Sequence, residues 1–407
     1  MAINTSKLGR PTKKSSSVKA TPKISLVEDT SISLLNDEKK NKIYPKIIDM
    51  RINQLRYSMY ENKVDAAYIS YLPNIRYLTN FSGSFAFVIF HDDDMYFFTD
   101  ERYRMQASEE LYDIPGLQIH IIDGDLWDYC RKVGILSKIN TLGIEADKIP
   151  YSEAIELRNN IRPVKFRPAP FIFEPFTQPK GVEELEYIMK ACEIAENTYN
   201  AILPKIRLRM SEDEIAAELS YISRQFGSEF TPEPVFVTSG ERGKIINGKP
   251  TDRKIKKNEL LMMNFSTQYK GFCCEISRTI AIGKATKQQM TMYQILVQAQ
   301  KLAIKNVTPG MAGKHLDSIV RNYFVEQGYA ENFMHGLGYG IGLKIKEHPF
   351  INPSQNGEMI PDKSVIVVAP GIYTDKFGMR IQDMLKVAIG GGKFLTMAPE
   401  ELPILDL

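Results

Sequence analysis

The 407-residue chain has few cysteines, little excess charge of either sign and no long apolar run. Its four cysteines, Cys130, Cys192, Cys273 and Cys274, lack CxxC or zinc-finger spacing, which argues against a disulfide framework. A net charge of +3 is too small to indicate a polyanionic partner. No segment approaches the roughly 18 continuous apolar residues that a bilayer span requires, and no apolar stretch follows the charges near Met1, so neither a span nor a secretory leader is expected. These absences point to a reducing cytoplasm and to no contact with a membrane. No internal repeat is visible.

What is present looks like ordinary globular usage, with 43% hydrophobic and 25% charged residues, and a length that suggests two domains. Residues 1–44 are polar and carry Lys7, Arg10, Lys13, Lys14, Lys19 and Lys23 ahead of the first acid, Glu28. Such a segment buries too little apolar surface to offset its ordering entropy, so a disordered basic tail is expected. Nucleic acid could be contacted only through it, and a solvated leader is the simpler reading.

Order is predicted to begin near Ile47, where Ile48, Ile52, Leu55 and Met59 recur at helical spacing, followed by a strand at Asp65–Ser70. Strands at Phe85–Phe90 and Met95–Phe98 flank Asp92, Asp93 and Asp94, which suit a hairpin turn better than a metal site. Pro163, Pro168, Pro170, Pro175 and Pro179 mark a linker across Arg162–Lys180. Helices are predicted at Val182–Leu203, Ser211–Phe226, Met290–Asn306 and Lys314–Gln327, the second opened by a capping box from Ser211 to Glu214. Strands are predicted at Leu260–Phe265, Cys273–Ile282 and Val365–Val368, with a closing strand near Arg380–Ile389.

Three stretches of the first half, Asn74–Ser84, Phe98–Tyr103 and Leu142–Ala146, resemble the creatinase-type N-terminal domain. In the second half Glu184–Ala191, Thr238-Ser239-Gly240, Gly271–Thr279, His335-Gly336-Leu337-Gly338 and Pro370-Gly371-Ile372-Tyr373 follow in the order of the creatinase/aminopeptidase P/prolidase family, the M24 or pita-bread family. The resemblance runs from about Ile47 to the C-terminus. It implies an α/β (α+β) protein with a creatinase-like N-terminal domain at 45–178 and a pita-bread domain at 179–407. It also implies a homodimer, since many relatives dimerise through the N-terminal domain.

Active members of that family hold two divalent metals on two aspartates, a histidine and two glutamates. The matching positions here are Asn264, Glu275, Tyr339, Ala369 and Gln382, so one carboxylate remains. Asn247 and Lys346 stand where the family has two assisting histidines, and His335 keeps its family identity. Lys346 is expected to face Glu275 and balance its charge, with Arg380 and Asp383 as a second pair. His315 and His348 are expected on the surface.

The leading expectation is a pseudoenzyme without metal or cofactor, acting as a binding or regulatory module for a protein, a peptide or a small zwitterion. The alternative is a metal-independent hydrolase of a small C–N bond, like creatinase or ectoine hydrolase, with His335 and Glu275 as its chemical groups.

Overall fold

The first sheet is buried on both faces, and its strands show this in their period of two. A computed structural model describes residues 46–354 and 357–407. The expected basic tail and its contacts lie outside the described residues. After helix α1 (Ile47–Glu61) come β1 (Ala66–Ile69), α2 (Leu72–Thr79), β2 (Phe87–His91), β3 (Asp94–Thr99), α3 (Arg104–Glu110), β4 (Leu117–Ile121), α4 (Leu126–Lys132), β5 (Thr141–Ile144), α5 (Tyr151–Asn160) and β6 (Lys165–Pro168). The six strands form one mixed sheet in the order β4-β3-β2-β1-β5-β6. Ala67, Ile69, Met95 and Phe97 point into one apolar cluster, whereas Ala66, Tyr68, Tyr96 and Phe98 point into another. Alternation of side chains along a strand serves both faces, and the helices cover them. At the β2–β3 hairpin Asp92 takes a φ of 52°, a left-handed conformation that short polar side chains tolerate. The aspartate trio is therefore a turn.

The proline-rich stretch is more structured than a linker. Lys165–Pro168 pairs in parallel with β5, and only after it does the chain leave the sheet, through the single-turn helix α6 (Glu174–Thr177). Prolines at positions 163 and 168 sit at the rim of an edge strand, where a missing N–H costs no ladder bond.

The remaining elements are α7 (Val182–Ile202), α8 (Glu212–Gln225), β7 (Phe236–Ser239), β8 (Glu259–Tyr269), β9 (Phe272–Ile282), α9 (Lys287–Asn306), α10 (Gly313–Glu326), β10 (Gly338–Gly340), β11 (Glu347–Ile351), β12 (Val365–Val368), β13 (Gly371–Tyr373), β14 (Gly378–Arg380), β15 (Asp383–Ala388), β16 (Gly391–Phe394) and β17 (Ile404–Leu405). They make a four-stranded sheet, β17-β9-β8-β7, a five-stranded antiparallel sheet, β11-β10-β12-β15-β16, and the small ribbon β13-β14. The predicted closing strand is thus two strands, split at Ile381 and Gln382, and two further strands follow it. The capping box forms as expected: Ser211 Oγ accepts from the Glu214 N–H at 3.0 Å, and Glu214 accepts from the Ser211 N–H at 2.6 Å. A second box, between Thr286 and Gln289, opens α9.

Helix α7 packs on β8 and β9 and also ties the first sheet to the rest. Glu184 accepts from the Gly181 N–H at its own N-terminus and pairs with Arg51 of α1 at 3.0 Å, both side chains being buried. Arg76 of α2 reaches Glu229 through two bonds of 2.8 and 2.7 Å. Buried and bidentate pairs of this kind fix orientation, because removing one partner strands a charge away from water.

Candidate functional site

The long β8–β9 hairpin supplies one wall of a cavity. Its register sets Asn264 opposite Ser277 and Ser266 opposite Glu275, so these polar side chains share a face, and β7 adds Phe236 beside Asn264. An isolated antiparallel bridge between Ser277 and Gln382 carries the end of the β13–β14 ribbon onto β9, placing Arg380 and Gln382 at the same wall. The other wall comes from β10 and β12. Gly338 pairs with Val368 so closely that a Cβ at position 338 would lie 1.8 Å from the Val367 carbonyl oxygen, and only glycine lets Tyr339 and Ala369 converge there.

The result is a cavity of about 300 Å³ lined by Asn264, Glu275, Tyr339, Ala369 and Gln382 together with Asn247, His335, Lys346 and Arg380. Residues some 135 positions apart in sequence are thereby gathered around one space. Gly336 and Gly338, from the His335–Gly338 motif, and Phe236, Ile246, Phe350 and Asn352, which had no distinguishing pattern in the sequence, complete the lining. The pairing of Phe236 with Asn264 is the only signal that would have found it, and pairing is a tertiary fact.

Tyr339 donates its hydroxyl hydrogen to Glu275 Oε2. Burial, followed by the charge of Glu275, drives the Tyr339 phenol well above its ordinary pKa, so it stays a donor at every physiological pH. His335 donates from Nδ1 to the Gly336 carbonyl at 2.8 Å, leaving Nε2 deprotonated, buried and without a partner. Burial lowers its pKa to about 4, so the ring is neutral near pH 7. Gln382 Nε2 is likewise buried and unpartnered, and Asn264 reaches the Ile276 carbonyl only at 3.4 Å. Arg380, 6% exposed, touches Ser277 Oγ at 3.3 Å.

Three placements differ from expectation. Asp383 faces away from the cavity: one residue beyond Gln382 on an extended chain, it points to the opposite side and pairs with buried Arg278 at 2.7 Å. Gln300 and the Ala398 N–H bind its other oxygen, so it pairs with Arg278 and not with Arg380. Lys346 lies at the rim, half-exposed at 52%, and its ion pair is with Glu233 at 3.8 Å rather than with Glu275. Tyr339 already occupies Glu275, and a lysine leaning to water avoids desolvation. His315 is exposed, but His348 is half-buried, hydrogen-bonded through Nδ1 to Glu358 at 2.8 Å.

The five positions that the resemblance matches to metal ligands offer one carboxylate, two carboxamides, a phenol and a methyl group. Among the described residues no cluster of three or more histidine, cysteine, aspartate or glutamate side chains is placed to hold a metal ion. No helix among them is long and apolar enough to cross a membrane.

Two sheets framing an interior cavity behind a creatinase-type first sheet define the class: an α/β protein of pita-bread architecture. Solved structures with that architecture include the Xaa-Pro dipeptidase from Bacillus anthracis, with a TM-score of 0.82 at 30% identity, covering 88% of this chain and 100% of the other. The X-Pro aminopeptidase from Thermotoga maritima superposes with a TM-score of 0.79 at 30% identity, covering 86% and 100%. The Xaa-Pro dipeptidase of Pyrococcus furiosus is 31% identical over 86% of this chain and 99% of its own length. Residues 51–175 match the creatinase/prolidase N-terminal domain and residues 186–388 match metallopeptidase family M24. The chain belongs to metallopeptidase family M24.

Proposed function

We propose that this member of the family is a pseudoenzyme: a binding or regulatory module that retains the pita-bread cavity and has lost the dinuclear metal chemistry. In this reading residues 45–178 frame the module, residues 179–407 carry its site, and the protein works as a homodimer. The supporting observation is the donor set around the cavity.

Two divalent ions about 4 Å apart repel by on the order of 15 kcal/mol at an effective dielectric constant of about 20, and a dinuclear site exists only because several anionic ligands offset that repulsion. Here Glu275 is the one carboxylate at the five positions, and it is already bound by Tyr339. Neutral amides, a phenol held protonated and the Ala369 methyl do not fit the two metals. The relatives are named as peptidases, which makes peptidase activity the reading to test against.

The metal-independent hydrolase fits less well. It needs a base near neutrality, whereas His335 has its pKa lowered to about 4 and Glu275 is engaged by Tyr339.

The test is elemental analysis of protein purified without a metal-affinity tag, together with Xaa-Pro dipeptide cleavage in added manganese. Substoichiometric metal and no turnover are expected. Near two equivalents of metal with turnover would overturn the reading, and activity abolished by His335→Ala in metal-free protein would favour the hydrolase. Light scattering after size exclusion checks the dimer.

A further inference from the structure

The cavity contains a buried cation that makes no ion pair among the described residues. Arg380 is 6% exposed and lines the cavity, yet among the described residues no carboxylate pairs with it. Asp383, its near neighbour in sequence, is taken by Arg278, and Glu275, on the same lining, keeps its charge but accepts from the neutral Tyr339 hydroxyl and makes no ion pair with Arg380. Lys346, the other cation of the lining, is balanced at the rim by Glu233. His335 is neutral at physiological pH and adds nothing to the balance. Beside Arg380 on the same wall stands Gln382, 2% exposed, whose Nε2 donor has no partner.

A buried guanidinium keeps its charge at any pH a protein tolerates, so the cost of removing it from water is offset only by an anion or by a dense set of acceptors. Ser277 Oγ at 3.3 Å is a long contact, and the Tyr373 hydroxyl beside the guanidinium is a second neutral one. The guanidinium fork matches two oxygens held on one atom better than it matches a spherical ion, and a carboxamide N–H beside it suits the same group.

We propose that the cavity binds a compact carboxylate, its oxygens held by Arg380 and Gln382 at a place where the family's architecture would hold cations. The proposal rests on the metal-free reading of the site and adds the ligand's charge and shape. The pocket has lost most of its negative charge: three of the four carboxylates expected at the metal positions are gone, and Arg380 faces the cavity with its guanidinium in no ion pair among the described residues. A volume of about 300 Å³ admits small acids and excludes folded partners from the cavity floor.

The experiment is calorimetric titration of the full chain, in chloride-free buffer, with acetate and glycolate, their neutral isosteres acetamide and glycolamide, sodium chloride, inorganic phosphate and, separately, manganese. The carboxylates are expected to bind with one site per chain and the amides not at all. Arg380→Gln should weaken carboxylate binding by about tenfold or more, the size of a lost charge-assisted hydrogen bond. Because loss of Arg380 touches the packing as well, Gln382→Leu is titrated alongside and should weaken binding severalfold without altering the thermal transition. Amides that bind as well as the acids, chloride or phosphate that binds more tightly than either acid, or an Arg380→Gln protein that is folded and binds unchanged would each overturn the proposal. Stoichiometric manganese uptake would overturn the metal-free reading on which it stands. If neither manganese nor a carboxylate binds, this proposal fails while that reading survives.

Discussion

Two buried carboxylates, one in each half of the chain, are treated very differently by their surroundings. Glu145, at the end of the first sheet, accepts from the Ser70 and Tyr71 N–H groups at 2.9 and 3.0 Å and from Asn74 at 2.6 Å. The cavity around Glu275 holds atoms on Gln382 and His335 that have no partner among the described residues, and an Arg380 that makes no ion pair among them. A satisfied network is architecture, since its groups gain nothing further from a ligand. An incompletely satisfied one, enclosed and polar, is where a ligand gains most, because burying an unpaired donor or charge is otherwise pure cost. The contrast separates neighbours as well as halves: Asp383 is saturated within the core, whereas the adjoining Gln382 is not.

The contrast is broken most forcefully at Asp383. Replacing Asp383 by Ala strands the buried Arg278, and urea denaturation should show a loss of about 3–5 kcal/mol. A loss below about 1 kcal/mol would mean that the pair is not structural.

Glu145 tests the first half through pH. Burial raises its pKa to about 7 from the usual 4.5, with its hydrogen bonds acting in the opposite direction. The folded state therefore holds a proton that the unfolded chain releases near pH 4.5. The contribution of this group is fully present below that pH and is lost as pH rises toward 7, by on the order of 3 kcal/mol. His335 has the opposite sign: its pKa is lowered to about 4, so stability falls as pH drops from 6.5 toward 4. Glu145→Gln should remove the first slope and leave the second exposed in denaturation profiles between pH 4 and 7.5. Unchanged profiles would show that Glu145 is ionised in the folded protein throughout.

A smaller effect is expected for Tyr339→Phe, which leaves the buried Glu275 carboxylate without its donor and should cost about 1.5–3 kcal/mol in thermal or chemical unfolding. Metal uptake appearing in this variant alone would show that the phenol had been blocking a competent site. Smallest of all is Gln382→Leu, where removal of an unpartnered donor should shift stability by no more than about 0.5 kcal/mol in either direction. A large loss would place Gln382 on the structural side of the contrast, with Asp383.

Much of the frame was legible from local chemistry. The apolar spacing of Ile48, Ile52, Leu55 and Met59, the Ser211–Glu214 box and the aspartate turn after His91 are decided within a few residues, and each appears in the structure. Nine of the cavity-lining residues, from Asn247 to Gln382, were recognised through motifs and not through periodicity, whereas Asp383, expected among them, faces the core. Pattern failed where the deciding partner is remote. Prolines read as a linker conceal an edge strand, because edge pairing needs only half of the backbone donors.

By itself the sequence determined the chemical groups at the five positions that the family resemblance matches to metal ligands: one carboxylate, two carboxamides, a phenol and a methyl, with an arginine and a lysine also on the cavity lining. Only the tertiary structure decided how those groups are paired. Charge balance depends on distances of a few ångströms between residues far apart in the chain. Arg278 rather than Arg380 therefore takes Asp383, Tyr339 rather than Lys346 takes Glu275, and Arg380 is left facing the cavity with no ion pair among the described residues.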